Sequence, residues 1–358
     1  MFRRIVVGFI ILATLLGAAK VDPESLPHVR AAPQQGTVVT GIPAFFDLAV
    51  DDAHGRLFGT EKAAGRVVVL GLPNLNTITT ISLGQASSPS GLSLSSDGTQ
   101  LAVALFGFGS IALIDTATLT VTDHLYPNVT VGASYPYDVR YGVAGRLYSV
   151  GNPNSGRLDY VHAFDTATGE EIGASSTVVR GGPRLAITAD KSTLYVSEPD
   201  FSPQQVYRFA VTSNTPTKTG QGPHGPVIAS TIAARSDGNA LFTSYGQVWS
   251  GDLTQKIGAF EAFGGNIEYI PALDRLYVSQ GATVVEIDAQ APYDVLARRP
   301  VAGVAGVARA ERCRNAAVCE YQCGHGGHPA RCPDARSDGA ICGQWPGECP
   351  GRGHLHRR

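Results

Sequence analysis

Residues 136–150 read PYDVRYGVAGRLYSV, and the same pattern returns at 183–197 as PRLAITADKSTLYVS. Each copy contains a proline, a short run with apolar residues, a polar or glycine-containing turn, and a second run that begins with Leu-Tyr. Proline is accepted at the first residue of a strand, and Gly or Asp supplies the backbone freedom of a tight turn. The stretch therefore predicts a pair of antiparallel β-strands.

This pattern repeats along most of the chain. Pro43, Pro89, Pro136 and Pro183 are separated by 46, 47 and 47 residues. The leucines that begin the second run are separated by 44, 46, 47, 47 and 35 residues, and they are Leu57, Leu101, Leu147, Leu194, Leu241 and Leu276. A third apolar run follows each leucine run, and a more polar fourth run closes most units. Four strands in roughly 45 residues are typical of a propeller blade.

The sequence thus predicts an all-β fold, a β-propeller of four-stranded blades with six recognisable blades and an incomplete seventh. The six blades are predicted at about 43–85, 89–126, 135–177, 182–219, 226–260 and 264–299. A β-sandwich is the rival fold, but it gives no reason for a repeat of this length. Residues 37–40 and 301–308 are predicted as an outer and an inner strand of the seventh blade. We expect either an open ring with exposed apolar faces on blades 1 and 6, or six blades that close by themselves.

Composition agrees with this fold and narrows the range of partners. Charged residues make up 16% of the chain, and 42 glycines suit many short strands joined by tight turns. The formal net charge is -2, so no overall field favours nucleic acid or an anionic membrane. We therefore predict no nucleic-acid partner.

The N-terminus resembles an export signal. Arg3 and Arg4 precede an apolar run at 5–16, and small residues at 17–19 are suited to cleavage before Lys20. The apolar run is short for a bilayer span, although an uncleaved membrane anchor is the alternative. No second apolar run of this kind occurs, so we predict no transmembrane span after the signal peptide. Residues 1–19 are thus assigned to the signal peptide, 20–36 to a flexible leader and 37–308 to the propeller.

The composition changes abruptly in the tail, residues 309–358. This segment contains all six cysteines of the chain, and the alternation of the blades ends there. We predict that the tail is disordered or not translated in its native frame. A disulfide knot is one alternative, and a metal-binding module is another, with ligands drawn from Cys319, Cys323, His325, His328 and Cys332. The body has no cysteine, so its folding does not depend on disulfides.

The repeat unit can be compared with a known family. Its order of proline, apolar strand, Asp-Gly turn, Leu-Tyr-Val strand and Asp-Thr-Ala-Thr resembles the YVTN-type repeat over residues of about 37–308. That repeat occurs in seven-bladed, lactonase-like propellers and in exported surface-layer or cell-envelope proteins. The resemblance implies the fold and leaves the function open, because many activities share this scaffold.

Candidate binding residues follow from their position in the repeat. Propellers generally use the surface around the central channel, formed by the innermost strands and adjoining loops. On this basis we predict a small molecule or a protein as the ligand, bound by Tyr137, Asp138, Arg184, Ser90 and Asn266. Phe46 holds a similar position. An aromatic ring, an acid and a base together make a plausible polar binding set.

Other functional signals are weak. The five histidines of the body fall at unrelated places in the repeat, so no ring of imidazoles is predicted and no metal site is assigned. Catalytic residues and cofactors stay unassigned. Asn128 begins an Asn-Val-Thr sequon for N-glycosylation between two blades.

Two functions remain open from the sequence. The first is an exported binding or structural scaffold, secreted or located at the cell envelope. The alternative is a hydrolase or oxidoreductase of the lactonase, gluconolactonase or quinoprotein-like propeller type. A gluconolactonase-like enzyme needs acidic and amide side chains around a divalent cation, and the sequence offers only Asp138 and Asn266 at the channel mouth.

Overall fold

The computed structural model describes residues 45–128, 134–143, 145–151, 159–199, 204–223 and 231–300, and the backbone of 305–307 and 319–321. Within these ranges the chain forms six four-stranded antiparallel sheets, each a meander of four consecutive strands. Blade 1 comprises β1 (Leu48–Asp51), β2 (Arg56–Glu61), β3 (Arg66–Gly71) and β4 (Asn76–Ser82). Blade 2 comprises β5 (Pro89–Leu94), β6 (Gln100–Leu105), β7 (Ser110–Asp115) and β8 (Thr120–Leu125).

The remaining four blades have the same organisation. Blade 3 comprises β9 (Pro136–Tyr141), β10 (Arg146–Gly151), β11 (Val161–Asp165) and β12 (Glu171–Ala174). Blade 4 comprises β13 (Arg184–Ile187), β14 (Thr193–Glu198), β15 (Gln205–Ala210) and β16 (Thr217–Gln221). Blade 5 comprises β17 (Ile232–Ala234), β18 (Ala240–Thr243), β19 (Gln247–Ser250) and β20 (Lys256–Ala259). Blade 6 comprises β21 (Ile267–Ile270), β22 (Arg275–Gln280), β23 (Thr283–Asp288) and β24 (Val295–Pro300).

The blades are arranged in a ring around a central channel. The first strand of each blade contacts the first strand of the next, from β1 through β5, β9, β13 and β17 to β21. These six strands are therefore innermost, which is the architecture of a β-propeller and confirms the predicted fold. Because every blade is a meander, all six innermost strands run in the same direction. We call the side on which they begin the strand-start face, and the opposite side the strand-end face.

The repeated leucines hold the same place in every blade. Each is the second residue of its strand and is at most 2% exposed, as seen for Leu57, Leu101, Leu147, Leu194, Leu241 and Leu276. Each pairs with a residue of the innermost strand in the antiparallel ladder, for example Leu57 with Val50. The period in the sequence thus reflects one buried position that recurs in each blade.

The hydrophobic core lies between neighbouring blades. Side chains alternate along a strand, so each sheet presents one face to the preceding blade and one to the next. Phe58, Val67 and Val69 of blade 1 pack with Leu101 and Val103 of blade 2 in a single buried cluster. The outermost strands β4, β8 and β16 are largely exposed, as the more polar fourth run predicts.

Aspartates build the turns of the strand-end face. The Oδ1 atom of Asp97 accepts hydrogen bonds from Ser95 Oγ at 2.6 Å and from Thr99 N at 3.1 Å, and the following Gly98 has a φ of +75°. Asp190 and Asp252 accept equivalent bonds from their own turns. These hydrogen bonds lower the pKa of all three aspartates, to about 2 for Asp252, so the carboxylates stay charged.

The seventh blade differs in part from expectation. The predicted inner strand appears as β25 (Ala305–Val307), which contacts β22 and β23 of blade 6. It pairs with β26 (Cys319–Tyr321), a short strand in the tail that the sequence did not indicate. The apolar face of blade 1 that points away from blade 2 is buried, with Leu48 at 3% and Val50 at 2% exposure, so the alternative with an exposed face on blade 1 is wrong. The signal peptide, the leader, the outer strand at 37–40 and the cysteine-rich remainder of the tail lie outside the described residues.

Candidate functional site

One position recurs at the start of every innermost strand. It lies three residues before the residue that pairs with the buried leucine, and we call it the ring position. In chain order it is occupied by Asp47, Gly91, Asp138, Arg184, Thr231 and Asn266. Three of the predicted binding residues therefore hold equivalent places, and Ser90 and Tyr137 each precede a ring position.

Side chains at the ring position join neighbouring blades in three pairs. The Oδ2 atom of Asp47 accepts a hydrogen bond from Leu92 N at 3.2 Å, which joins blade 1 to blade 2. Asp138 Oδ2 accepts from Leu185 N at 2.9 Å and joins blade 3 to blade 4. Thr231 Oγ1 accepts from the amide of Ile267 at 3.2 Å and joins blade 5 to blade 6. These side chains fix the spacing of the innermost strands around the channel.

Asp138 is a structural group inside the channel wall. Its side chain is fully buried and forms a salt bridge with the Arg140 guanidinium, with Nη1 to Oδ1 at 2.7 Å. The two residues are two apart on β9, so their side chains lie on the same side of the sheet. Gly91 makes room for this pair, since a Cβ atom there would lie 2.4 Å from Asp138 Oδ1. Asp138 is therefore buried in the channel wall and not at the surface around the channel, where its place in the repeat suggested a binding residue.

Tyr137 and Arg184 come together at the strand-start face. The Arg184 Cζ atom lies 4.3 Å from the centroid of the Phe46 ring and 5.0 Å from that of Tyr137. Lys62, from the β2–β3 turn, places its Nζ atom 5.1 Å from the Phe46 centroid, 5.2 Å from that of Phe106 and 5.3 Å from that of Tyr137. We call these five half-buried residues the aromatic–cation cluster. It joins blades 1 to 4 across this end of the channel.

Two positive charges share the rings of this cluster. Burial, and next the nearby charge of Arg184, lower the pKa of Lys62. The three ring faces favour the charged form of the lysine, because their negative quadrupoles attract an ammonium group. Cation–π contacts of about 0.5–2 kcal/mol are the favourable term that holds both cations at the mouth.

The strand-end face contains an open cavity of about 460 Å³ at the other end of the channel. Its apolar walls come from the innermost strands of blades 1, 2, 4, 5 and 6, and include Val50, Leu94, Leu185, Ile187, Ile232 and Tyr269. Ligand pockets in proteins commonly have volumes of roughly 300–1,000 Å³ and mix apolar walls with a few polar groups. The size and lining of this cavity are those of a small-molecule site.

Charged groups give this cavity an acidic character. Four carboxylates line it, from Asp51, Asp52, Asp97 and Glu268, against the two cations of Arg140 and Lys191. Asp51 is only 1% exposed and its Oδ2 atom lies 2.7 Å from His54 Nδ1. Carboxylates thus outnumber cations by four to two, which favours ligands that carry positive charge.

The other predicted site residues have local partners. Ser90 is fully buried, and its hydroxyl donates to the Ala104 carbonyl at 3.4 Å, so its predicted place at the surface is wrong. Asn266 is half-buried, and its backbone N donates to Ser279 Oγ at 2.8 Å. Asn128 is exposed, and its backbone N donates to a Glu171 carboxylate oxygen. Glycosylation of Asn128 and ligand binding by the five candidates stay predictions.

His162 is a buried charged group that the sequence reasoning did not single out. Its Nε2 atom lies 3.0 Å from Asp159 Oδ1, and its Nδ1 atom lies 2.8 Å from Glu171 Oε1. Burial opposes the charge, but the hydrogen bonds and charges of these two carboxylates outweigh it and raise the pKa of His162 to about 9. The imidazole is therefore protonated at neutral pH and joins β11 to β12 through Glu171.

Comparisons with known proteins show the fold alone. No model of a known family matches the chain, and no curated protein matches its sequence. A solved chain described as Kuenenia stuttgartiensis hydrazine synthase is similar with a TM-score of 0.59 and 14% identity, over 78% of this chain and 92% of that chain. A chain in the crystal structure of a mitotic checkpoint complex is similar with a TM-score of 0.61 and 14% identity, over 86% of this chain and 93% of its own length. The narrower resemblance to YVTN-type propellers stays a prediction.

The described residues contain neither a cluster of metal ligands nor a membrane-spanning helix. In that part of the chain, no group of three or more His, Cys, Asp or Glu side chains is placed to hold a metal ion. No helix there has the length and hydrophobicity required to cross a membrane.

Proposed function

We propose that the protein is an exported β-propeller that serves as a binding scaffold at the cell envelope or outside the cell. The cavity of about 460 Å³ on the strand-end face is the observation that carries this proposal. Six blades, joined by interblade hydrogen bonds and buried apolar faces, provide a rigid frame for such a cavity. Rigid sites lose little conformational entropy on binding, which favours affinity.

The ligand of this cavity is proposed to be a small organic cation with an apolar body. Its apolar part contacts walls such as Leu94 and Ile187, while its positive charge faces the carboxylates at the rim. The Arg140 guanidinium also lines the cavity, and like charges repel, so a cation beside it is unfavourable. The positive group of the ligand therefore belongs near the rim.

Binding in the cavity can be tested with spermidine and agmatine as probes. At a probe concentration of about 100 times Kd, the free energy of unfolding is expected to rise by about 2.7 kcal/mol. Ala189 lines the cavity in an exposed turn, so Ala189→Trp is expected to obstruct the mouth and abolish this increase. Thermal unfolding with and without each probe gives the measurement.

Ala117→Trp is the matched control, because Ala117 lies in an exposed turn on the same face and outside the cavity lining. It should behave like the wild-type protein. Equal responses of Ala189→Trp and wild type, or no response of the wild type to either cation, would contradict the proposed site. Turnover of lactones that depends on added Ca²⁺ would favour the hydrolase alternative instead.

Export is a separate prediction with its own measurement. The charged, apolar and small-residue segments of residues 1–19 are expected to direct secretion and cleavage before Lys20. Mass spectrometry of the protein isolated from its producing cells should find a mature N-terminus near Lys20. A protein that retains Met1 in the cytosol would contradict export.

A further inference from the structure

The aromatic–cation cluster brings together two cations on the face opposite the cavity. Lys62 and Arg184 come from blades 1 and 4, and both lie over the rings of Phe46 and Tyr137. Like charges in close proximity repel, most strongly where burial removes solvent screening. The arrangement therefore contains an electrostatic cost, which attraction to the ring faces opposes.

Neighbouring carboxylates are already occupied by other groups. Asp138 forms its buried salt bridge with Arg140, and Glu61 pairs with Arg66. Among the described residues, no carboxylate forms a salt bridge with Lys62 or Arg184, and none accepts a hydrogen bond from either side chain. Neither positive charge is thus directly paired with a carboxylate in the described part of the chain.

We propose that the aromatic–cation cluster is a binding site for a small organic carboxylate, whose anionic group lies between Lys62 and Arg184. A guanidinium packed against a ring keeps its N–H donors in its own plane, where they can bind a carboxylate through two parallel hydrogen bonds. Lys62 adds a flexible donor on the other side. The bound anion relieves the repulsion between the two cations.

The aromatic rings favour a ligand whose anionic group is attached to an apolar body. Phe46, Phe106 and Tyr137 provide apolar surface beside the cations, with Phe46 and Tyr137 edge to face at a centroid distance of 5.2 Å. An anion with an apolar body gains from contact with these rings, whereas inorganic phosphate does not. The site therefore favours an aromatic or aliphatic carboxylate over a simple inorganic anion.

Calorimetric titration of the whole protein with sodium benzoate tests this site. Benzylamine has a similar size and the opposite charge, and inorganic phosphate lacks the apolar body. We expect benzoate to bind more tightly than either of them. Arg184→Met and Lys62→Met, which keep much of the side-chain volume, should each weaken benzoate binding by about tenfold or more, because each removes a charged hydrogen-bond donor.

Lys218 offers a matched control. Its Nζ atom lies 5.0 Å from the centroid of a single ring, that of Tyr207, without a second cation over the ring in the described part of the chain. Lys218→Met should leave benzoate affinity unchanged, and circular dichroism should show that all three variants fold. Equal affinity for benzoate and benzylamine, no benzoate binding, or full affinity in Arg184→Met would overturn the proposal. Because the cavity lies on the opposite face, Ala189→Trp should keep benzoate binding, so failures of the two sites can be distinguished.

Discussion

Replacement of Asp138 by alanine is expected to lower the free energy of unfolding by about 3–5 kcal/mol. The substitution leaves the buried Arg140 guanidinium without its salt-bridge partner, and it removes the acceptor for the Leu185 amide in blade 4. A buried charge without a partner is strongly unfavourable, because desolvation is no longer compensated. Urea denaturation followed by circular dichroism measures the difference.

Asp237→Ala serves as the control for this prediction. Asp237 also pairs with an arginine, Arg235, but its side chain is 41% exposed. Its loss should therefore change stability by at most about 1 kcal/mol. The double variant Asp138→Ala/Arg140→Ala should lose less than the sum of the two single variants, since no charge is then left buried alone. Additive losses, or an Asp138→Ala protein as stable as wild type, would contradict the structural role of the pair.

Stability is also expected to fall as pH rises from 6.5 to about 9, through deprotonation of His162. The folded-state pKa of this histidine lies above its ordinary value, so its contribution is complete below pH 6.5 and is lost as pH passes through the folded-state pKa. One pKa unit corresponds to about 1.4 kcal/mol, so the full loss is of the order of 3 kcal/mol. Urea denaturation across this pH range gives the curve.

Comparison with His162→Gln separates this effect from other titrating groups. The variant has no imidazole to titrate between Asp159 and Glu171, so its stability should depend less on pH over the same range. His124→Gln should keep the wild-type dependence, because His124 is exposed. Parallel curves for wild type and His162→Gln would exclude the buried imidazole as the cause.

The fold could be predicted from the sequence because the same leucine position is buried in every repeat. Leu147 and Leu194 hold the same buried place in successive blades, so their spacing reports the blade length directly. The site was harder to predict. Arg140 could have been found as a partner of Asp138, since residues two apart on a strand share a face. The place of Asp138 in the repeat instead indicated a ligand-binding residue.

No sequence pattern indicated that Lys62 and Phe106 belong to the site. Each lies in the turn between the second and third strands of its blade, and the two meet only because the ring brings blades 1 and 2 together beside Tyr137 of blade 3. Contacts of this kind depend on the geometry of the whole ring, and no local pattern encodes them. The strand-end cavity is likewise lined by all six blades, five of which contribute apolar residues that a sequence pattern assigns to the core.

Because side chains at the ring position join the blades in pairs, we expect a pair of blades to be a more favourable unit of rearrangement than a single blade. Asp47, Asp138 and Thr231 accept these hydrogen bonds in blades 1, 3 and 5. Gly91 and Arg184 hold the same position in blades 2 and 4 and have no side-chain acceptor, while blade 6 has Asn266 there. Duplication or removal of a pair of blades would retain the order of acceptor and recipient around the channel. Removal of a single blade would place two blades of the same kind side by side, so gene duplication and engineered blade exchange should succeed more readily in steps of two.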